Sequence, residues 1–121
     1  MAPQAAAANT CNEVYELLRL AIIQRKPLAA EYDGQRRLLC PHVLGRKAGR
    51  LRAFCFQFGG NSNSQIAEVG AWRCLAVDKL KQVHWADASW HTAPKSGQQT
   101  CVDDVDFELD IRESHFPQSN T

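Results

Sequence analysis

Three arginines of this 121-residue chain occupy the same position in a repeated strand pattern. Arg37, Arg52 and Arg73 are each followed two residues later by an apolar side chain. Because alternate side chains of a strand share one face, each arginine begins a face that continues apolar, so we expect it at the rim of the core. The planar guanidinium pairs bidentately with phosphate. The pattern therefore predicts a site for a phosphate-bearing ligand.

Antiparallel order predicts which of these arginines meet. Neighbouring strands start at opposite ends of the sheet, so Arg37 and Arg73 should share one end, roughly 10 Å apart, with Arg52 at the other. Tyr32 and Gln57 should lie beside the first pair. An aromatic ring at such a site can stack on a base, a role expected of Trp72. The predicted ligand-binding residues are Tyr32, Arg37, His42, Arg52, Gln57, Trp72 and Arg73.

A basic stretch surrounds the centre of the chain. Between Asp33 and Glu68 there is no acidic residue, yet this stretch holds six of the 14 lysines and arginines. Its loop, residues 45–49, is bounded by glycines, as a turn requires. We expect this loop and its flank to follow a nucleic-acid backbone through Arg46, Lys47 and Arg50.

Each assignment has a structural alternative. Arg37 and Arg73 would only hold the fold together if they paired with internal carboxylates. The candidate carboxylates are Glu31, Asp78 and Asp87. A histidine after a proline at a strand end, as His42 is, serves more often as a hydrogen-bonded structural residue than as a ligand-binding one.

Enzymatic chemistry finds little support in the sequence. It contains no recognisable paired carboxylates, nucleophile elbow, phosphate loop or metal-spaced cluster. Cys40 and His42 share a predicted strand face, which is only a weak hint of a nucleophile and base or of a metal site. We predict a protein that is not an enzyme and uses no cofactor or metal.

The composition is typical of one soluble domain, with a net charge of +1 and 45% hydrophobic residues. No apolar run approaches the roughly 20 residues of a membrane span, and Ala5–Ala8 is too short for a signal peptide. We therefore predict a cytoplasmic protein without membrane contact. The five cysteines are odd in number and widely spaced, which favours buried free thiols over disulfides or a zinc site.

One helix is predicted near the start of the chain. Thr10 and Glu13 match a capping box, apolar residues follow at helical spacing, and Pro27 prevents continuation. The helix should cover roughly residues 11–25. Residues 1–9 are predicted to be a disordered lead.

Strand patterns follow the helix at short intervals. The runs 28–32, 37–42, 51–58, 72–77 and 80–85 are predicted strands, with a tight turn at Asp33-Gly34. A polar loop is expected at 59–64. The fold class is mainly β with one helix (α+β), a small five-stranded antiparallel barrel capped by the N-terminal helix. The barrel domain is assigned to residues 10–92.

The C-terminal part, residues 93–121, has a linker composition followed by an acidic segment. Six acidic residues between 103 and 113 accompany one cation, Arg112. Four alternating apolar residues, beginning at Val105, also allow a strand. The segment is open to several interpretations: a solvated tail, a strand added to the sheet, a segment that binds a partner chain, or an internal competitor that folds onto the basic hairpin.

The chain resembles the WYL domain family over roughly residues 14–90. The resemblance rests on Tyr32-Asp33-Gly34, on Arg37 followed by Pro41-His42, and on residues 72–80 with Val83; the last run is similar to the family's R-x-F-x-L-D-R-I ending. The eponymous triplet reads Leu51-Arg52-Ala53 here, and Lys79 replaces the last arginine of the ending. The resemblance implies an Sm-like or SH3-like barrel that senses a nucleotide, an oligonucleotide or another anion. Family members usually carry it beside a DNA-binding winged helix, for which we see no helix-turn-helix pattern.

Two functions are therefore expected. The first is a non-enzymatic regulatory sensor that binds a nucleotide or single-stranded nucleic acid at an arginine-lined barrel mouth, in transcriptional or defence-related regulation. The second is a protein-interaction or oligomerisation module that uses the basic hairpin and the acidic segment to form a homodimer or to bind a regulatory protein partner.

Overall fold

The computed structural model describes residues 7–60, 70–94 and 98–109. The elements, in chain order, are helix α1 (Cys11–Gln24) and strands β1 (Leu28–Tyr32), β2 (Gln35–Lys47), β3 (Arg50–Gly60), β4 (Ala71–Ala76), β5 (Lys81–Trp85) and β6 (Asp104–Glu108). A short 3-10 helix, Val77–Lys79, connects β4 to β5. The chain is mainly β with one helix among the described residues, which confirms the predicted class.

Helix α1 begins and ends for local reasons. The Thr10 hydroxyl accepts a hydrogen bond from the Glu13 amide at 3.2 Å, and the Glu13 carboxylate accepts one from the Thr10 amide at 3.3 Å. This reciprocal capping box confirms the predicted start. Arg25 adopts a left-handed conformation with φ of 55°, which ends the helix before Pro27. The buried residues of helix α1 are Val14, Leu18, Ala21 and Ile22.

The strands form one antiparallel sheet in the order β4-β3-β2-β1-β5. The long strand β2 pairs with β3 along one edge, while its other edge is shared between β1 at residues 35–39 and β6 at residues 43–46. Within the described residues the six-stranded sheet is not closed, because no pairing joins β4 to β5. The prediction of five strands is therefore corrected to six, and closure into a barrel is not observed. The additional strand, Asp104–Glu108, lies within the acidic C-terminal segment.

The central hairpin is tighter than the sequence suggested. Ala48 and Gly49 alone form the turn, with φ of 52° and 78°, and Lys47 pairs with Arg50. Positive φ at both central residues is typical of a two-residue hairpin turn. Gly45, predicted in the loop, lies inside β2 instead. The predicted turn at Asp33-Gly34 is confirmed, with φ of 54° and 74°.

The core lies on both faces of the sheet. Helix α1 covers one face, where Leu39, Leu44 and Ala53 are buried with the apolar side of the helix. A second cluster on the other face joins Val43, Phe54, Cys101 and Val102, with Trp72 packed against it. Strand β2 serves both clusters because its pairing register with β3 shifts between Pro41 and Val43.

The cysteines differ in part from the prediction. Cys74 and Cys101 form a disulfide with Cα atoms 5.5 Å apart, whereas Cys40 and Cys55 are buried free thiols and Cys11 is exposed. The expectation of free thiols is therefore wrong for Cys74 and Cys101. Their separation of 27 residues gives no hint of pairing, since the sheet brings them together.

Both ends of the described chain contact the sheet. Ala8, within the predicted lead, exchanges backbone hydrogen bonds with Val83 at 2.7 and 2.9 Å. Strand β6 pairs with β2, so the sheet extends beyond the predicted domain boundary at residue 93. Most of the predicted loop at 59–64 lies outside the described residues. Within the described ranges, no helix has the length and apolar character that a membrane crossing requires.

Candidate anion-binding site

Strand register places the two predicted arginines on one face at one end of the sheet. Leu39, two residues beyond Arg37 on β2, pairs with Gln57, and Cys55, two residues before Gln57 on β3, pairs with Arg73. Because positions two apart share a face, Arg37, Gln57 and Arg73 lie on the same side, the side that α1 covers further along. Tyr32 joins them from the end of β1.

Arg37 is the centre of this group. Only 5% of the residue is exposed. Its Nη1 donates a long hydrogen bond of 3.5 Å to Gln57 Oε1, and its guanidinium carbon lies 5.1 Å from the centroid of the Tyr32 ring. The Nε atom is buried without a hydrogen-bond partner among the described residues. A buried guanidinium with one weak side-chain bond is incompletely satisfied.

The local field at Arg37 is positive. Burial lowers the pKa of Arg37 below its usual value, the nearby Arg73 guanidinium lowers this pKa further, and Asp33 and Tyr32 offset the effect in part. Among the described residues, no carboxylate lies within ion-pair distance of Arg37. The proposed structural alternative, a carboxylate partner for Arg37 at Glu31, Asp78 or Asp87, is thus absent from the described contacts. Asp78 instead lies 4.0 Å from Arg50.

Gln57 and Tyr32 hold the guanidinium in place. Gln57 is fully buried, and its Nε2 donates to the Gly59 carbonyl at 3.0 Å, which turns Oε1 toward Arg37. The Tyr32 hydroxyl accepts a hydrogen bond from the Ala76 amide at 3.1 Å. Tyr32 therefore supports Arg37 with its ring and anchors the end of β4 with its hydroxyl. Tyr32 and Arg73 are half-buried, so the group reaches the surface through them.

Two predicted ligand residues lie on the opposite face. Trp72 precedes Arg73 on β4, so its side chain points to the other side of the sheet. It stacks on Phe54 with ring centroids 4.8 Å apart and meets the edges of Phe56 and His42 at 5.2 and 4.7 Å. The expectation that Trp72 stacks a base beside Arg37 and Arg73 is therefore not met. Strict alternation already separates residues 72 and 73.

His42 is a structural residue. It is fully buried, its Nδ1 lies 2.7 Å from the Cys40 carbonyl, and its Nε2 lies 2.9 Å from the Thr92 hydroxyl. Because a carbonyl only accepts, Nδ1 carries the proton and Nε2 accepts from Thr92. Burial lowers the pKa of His42 to about 4, so the ring is neutral near pH 7. These contacts match the structural alternative and remove His42 from the arginine group.

The weak hint of chemistry at Cys40 and His42 also loses its basis. Burial raises the pKa of Cys40 to about 12, which keeps the thiol protonated, and its sulfur accepts a bond from the His91 amide at 3.2 Å. His42 contacts the backbone carbonyl of Cys40 and not its sulfur. Within the described ranges, no group of three or more potential metal ligands occurs.

The basic hairpin is covered by the chain's own C-terminal segment. Arg46 pairs with Asp106 at 3.3 Å, and Lys47 donates to the Thr100 carbonyl at 2.7 Å. Tyr15 of α1 donates to the same Asp106 carboxylate at 2.7 Å. Residue patterns gave no sign of the Tyr15 contact, since 91 positions separate the two residues. Two of the three predicted backbone-binding cations therefore have partners within the chain, and the third, Arg50, lies near Asp78.

Arg52 occupies a separate position. It pairs across the sheet with Gly45 and Ala76, away from Arg37, as antiparallel order predicted. It is half-buried, and its Nε is buried without a hydrogen-bond partner among the described residues. The structure thus brings together four of the seven predicted ligand residues, namely Tyr32, Arg37, Gln57 and Arg73.

Comparisons with known proteins identify no relative of this chain: it matches no protein-family model, and neither the curated proteins nor the solved structures contain a significant match. The fold and the site define a mainly β chain with a buried cationic group at one end of an open antiparallel sheet.

Proposed function

We propose that this chain is a non-enzymatic sensor that binds an anionic ligand, a nucleotide or single-stranded nucleic acid, at Arg37 and Arg73. One observation carries the proposal: the guanidinium of Arg37 is buried within electrostatic reach of a second cation, Arg73, and no described carboxylate lies within ion-pair distance of Arg37. Buried charges are normally paired, because leaving one unpaired costs several kcal/mol. A phosphate would supply that charge and accept from both planar forks.

The barrel implied by the WYL resemblance belongs to the same proposal. Three features support an Sm-like or SH3-like arrangement: the meander of β1 to β4 with β5 returning beside β1, the three-residue 3-10 helix between the two edge strands, and the Tyr32–Ala76 hydrogen bond. That bond brings the end of β4 near β1 although two strands lie between them, as a strongly curved sheet would. In this proposal the sensor acts in transcriptional or defence-related regulation.

Titration of a fluorescent nucleotide and of a fluorescent oligothymidine at low salt tests the site. Arg37→Ala and Arg73→Ala should each weaken binding by roughly 1.5 to 3 kcal/mol, the range for hydrogen bonds to charged groups. Arg37→Lys should retain part of the affinity, because lysine keeps the charge and loses the bidentate fork.

Arg36→Ala is the matched control. Arg36 adjoins Arg37, is exposed, and points to the opposite face of β2, so its loss removes the same charge without touching the site. A change in affinity of less than about 1 kcal/mol is expected for this variant. Equal effects of Arg36→Ala and Arg37→Ala, or full binding by the double variant of Arg37 and Arg73, would refute the site.

The alternative, a protein-interaction or oligomerisation module, is favoured by a different observation. The basic hairpin and the acidic strand complement each other within one chain, so the same contacts would serve between two chains. Light scattering on fractionated protein over a range of concentrations distinguishes the two. A dimer would favour this second function if Asp106→Arg or Arg46→Asp alone abolished it and the two changes together restored it.

A further inference from the structure

We propose that the Cys74–Cys101 disulfide is a redox latch that holds β6 on the basic hairpin, and that its reduction frees β6 and releases Arg46 and Lys47 from their partners, so that a polyanion can bind them. The release of these cations extends the proposed function, whereas the latch itself does not depend on it. The bond joins β4 to the residue three positions before β6 begins. It therefore fixes the entry of this strand to the opposite side of the β2–β3 hairpin.

The contacts of β6 are concentrated on the cationic part of β2. Its backbone pairs with Val43–Arg46, and flanking amides at Asp103 and Leu109 donate to the carbonyls of Arg46 and His42 at 2.9 and 2.7 Å. Its Asp106 carboxylate accepts from Arg46, and Thr100, just before the disulfide, accepts from Lys47. While β6 is docked, both cations are therefore occupied.

Strand β6 buries little of its own surface, and apart from β2 it contacts α1, where Tyr15 donates to Asp106 at 2.7 Å. It has five residues, four of which are exposed, and only Phe107 is half-buried. The buried residues of this segment lie just before and after the strand, at Cys101, Val102 and Leu109. A strand of this length on one edge is marginal by itself, so a covalent bond at its entry has a large share in keeping it docked.

The site on β2 is shaped for close approach of this segment. A Cβ atom at Gly45 would collide with the Asp104 carbonyl and lie 2.6 Å from a methyl group of Val102. A larger residue at position 45 would therefore displace β6 without touching the disulfide. This makes Gly45→Val a variant that undocks the strand by a route independent of redox state.

The disulfide is accessible to a reductant from one side. Cys74 is exposed, whereas Cys101 is 5% exposed. A thiolate of a dithiol reductant attacks the Cys74 sulfur, the Cys74–Cys101 bond breaks, and Cys101 leaves as a thiolate that takes a proton. The second thiol of the reductant then displaces Cys74, so that the reductant becomes a disulfide and the protein gains two electrons and two protons. Cys40 and Cys55 stay unreactive, because burial raises the pKa of both thiols.

Hydrogen exchange on the full chain tests the latch without any ligand. After reduction with dithiothreitol, checked by alkylation of Cys74 and Cys101, the amides of Asp103 and Leu109 should exchange at least about tenfold faster, against an upper bound of roughly several hundredfold for a loop of this size. The amides of β1 should not change. In the double variant Cys74→Ser/Cys101→Ser, the amides of Asp103 and Leu109 should exchange as fast as in the reduced protein, with or without reductant. Oxidised Gly45→Val should show the same fast exchange. Unchanged protection of β6 in protein with both cysteines alkylated would overturn the latch.

Binding of fluorescent oligothymidine tests the release of the two cations from their partners. Reduction should raise affinity at low salt by roughly three- to tenfold, the effect of freeing two exposed charges. It should also steepen the dependence of log K on log salt by about 1.4, since each single-strand phosphate contact contributes about 0.7. Faster exchange with unchanged affinity would overturn the proposal that Arg46 and Lys47 become available to a polyanion. A response to reduction that persists in Arg37→Ala/Arg73→Ala, with undiminished binding, would instead refute the proposed function and leave the latch in place.

Discussion

The buried guanidinium of Arg37 is the residue on which the proposed function depends. It contacts a neutral amide and an aromatic ring, and the charged residue that shifts its pKa most is another cation, Arg73. Both contacts suit a guanidinium but neither neutralises it. A site arranged in this way is stabilised when an anion arrives.

Tyr32 offers a test that separates support from ligand contact. Tyr32→Phe keeps the ring under Arg37 and removes the acceptor of the Ala76 amide. We expect a loss of about 1 kcal/mol in unfolding free energy, the usual effect of one hydrogen bond, with ligand affinity unchanged within about twofold. Urea denaturation and nucleotide titration measure the two quantities. Lost affinity at unchanged stability would assign the hydroxyl to the ligand instead.

His42 predicts how stability depends on pH. Its pKa is about 4 in the folded protein and about 6.5 in an unfolded chain, so between these values the unfolded state binds more protons. The contribution is fully present above about pH 6.5 and is lost as the pH falls toward 4, by an order of about 3 kcal/mol. Urea denaturation at pH 7 and pH 4.5 should show this loss. The loss of stability should be smaller in His42→Asn and should persist when the exposed His84 is replaced instead. Equal losses in the unaltered protein and in both variants would contradict the assignment of the pH dependence to His42.

At the scale of elements, β2 organises the molecule. It pairs with three strands and contributes to both apolar clusters, because a register shift near His42 turns its side chains from one cluster to the other. The same strand carries Arg37 at its first half and Arg46 at its second. The candidate site and the surface covered by β6 are thus two ends of one element.

Helix α1 is a structural element whose start can be tested by itself. Thr10→Ala removes one half of the capping box and should lower the unfolding free energy by about 1 kcal/mol. Thr10→Ser should restore most of it, because the hydroxyl acceptor returns. Nucleotide affinity should stay constant in both variants. A drop in affinity with no change in denaturation midpoint would show that the helix start takes part in binding.

At the scale of the whole molecule, a near-neutral net charge conceals an uneven distribution. Residues 99–121 contain six of the 13 acidic residues and one of the 14 lysines and arginines. The remaining chain is therefore strongly cationic, with its central hairpin free of acidic residues. Long-range attraction of a polyanion depends on how this distribution is presented.

Neutralising the acidic strand tests that effect without removing it. Asp103→Asn, Asp104→Asn and Glu108→Gln change three exposed side chains and raise the net charge from +1 to +4. Oligothymidine should bind more tightly at low salt, by roughly 0.2 to 1 kcal/mol per charge, and the gain should fade at high salt. The control carries the same charge change at exposed residues elsewhere, Glu16→Gln, Glu31→Gln and Asp87→Asn. An equal gain in both variants would mean that net charge alone decides, not the acidic strand.

Local interactions made part of this molecule readable from its sequence. The capping box, the Asp33-Gly34 turn and strand alternation depend on residues a few positions apart, and the structure confirms all three elements. Alternation together with antiparallel order also predicted that Arg37 and Arg73 would meet at one end of the sheet with Gln57 beside them, and strand register places all three on one face there. The same rule places Trp72 on the opposite face, because consecutive residues of a strand, such as Trp72 and Arg73, point to opposite sides of the sheet.

Tertiary structure decided what depends on distant contacts. The Cys74–Cys101 bond, the Tyr15–Asp106 hydrogen bond and the placement of β6 on β2 join residues from 27 to 91 positions apart, and no local pattern specifies such partners. The acidic segment had several possible fates because its alternation and charge suit each of them. Residues 104–108 form a strand because β2 is longer than β1 and leaves an edge unpaired, with Gly45 small enough to admit them. Sequence alone thus determined α1, the first five strands and the end of the sheet at which Arg37 and Arg73 lie, whereas packing decided that Arg46 and Lys47 have partners within the chain.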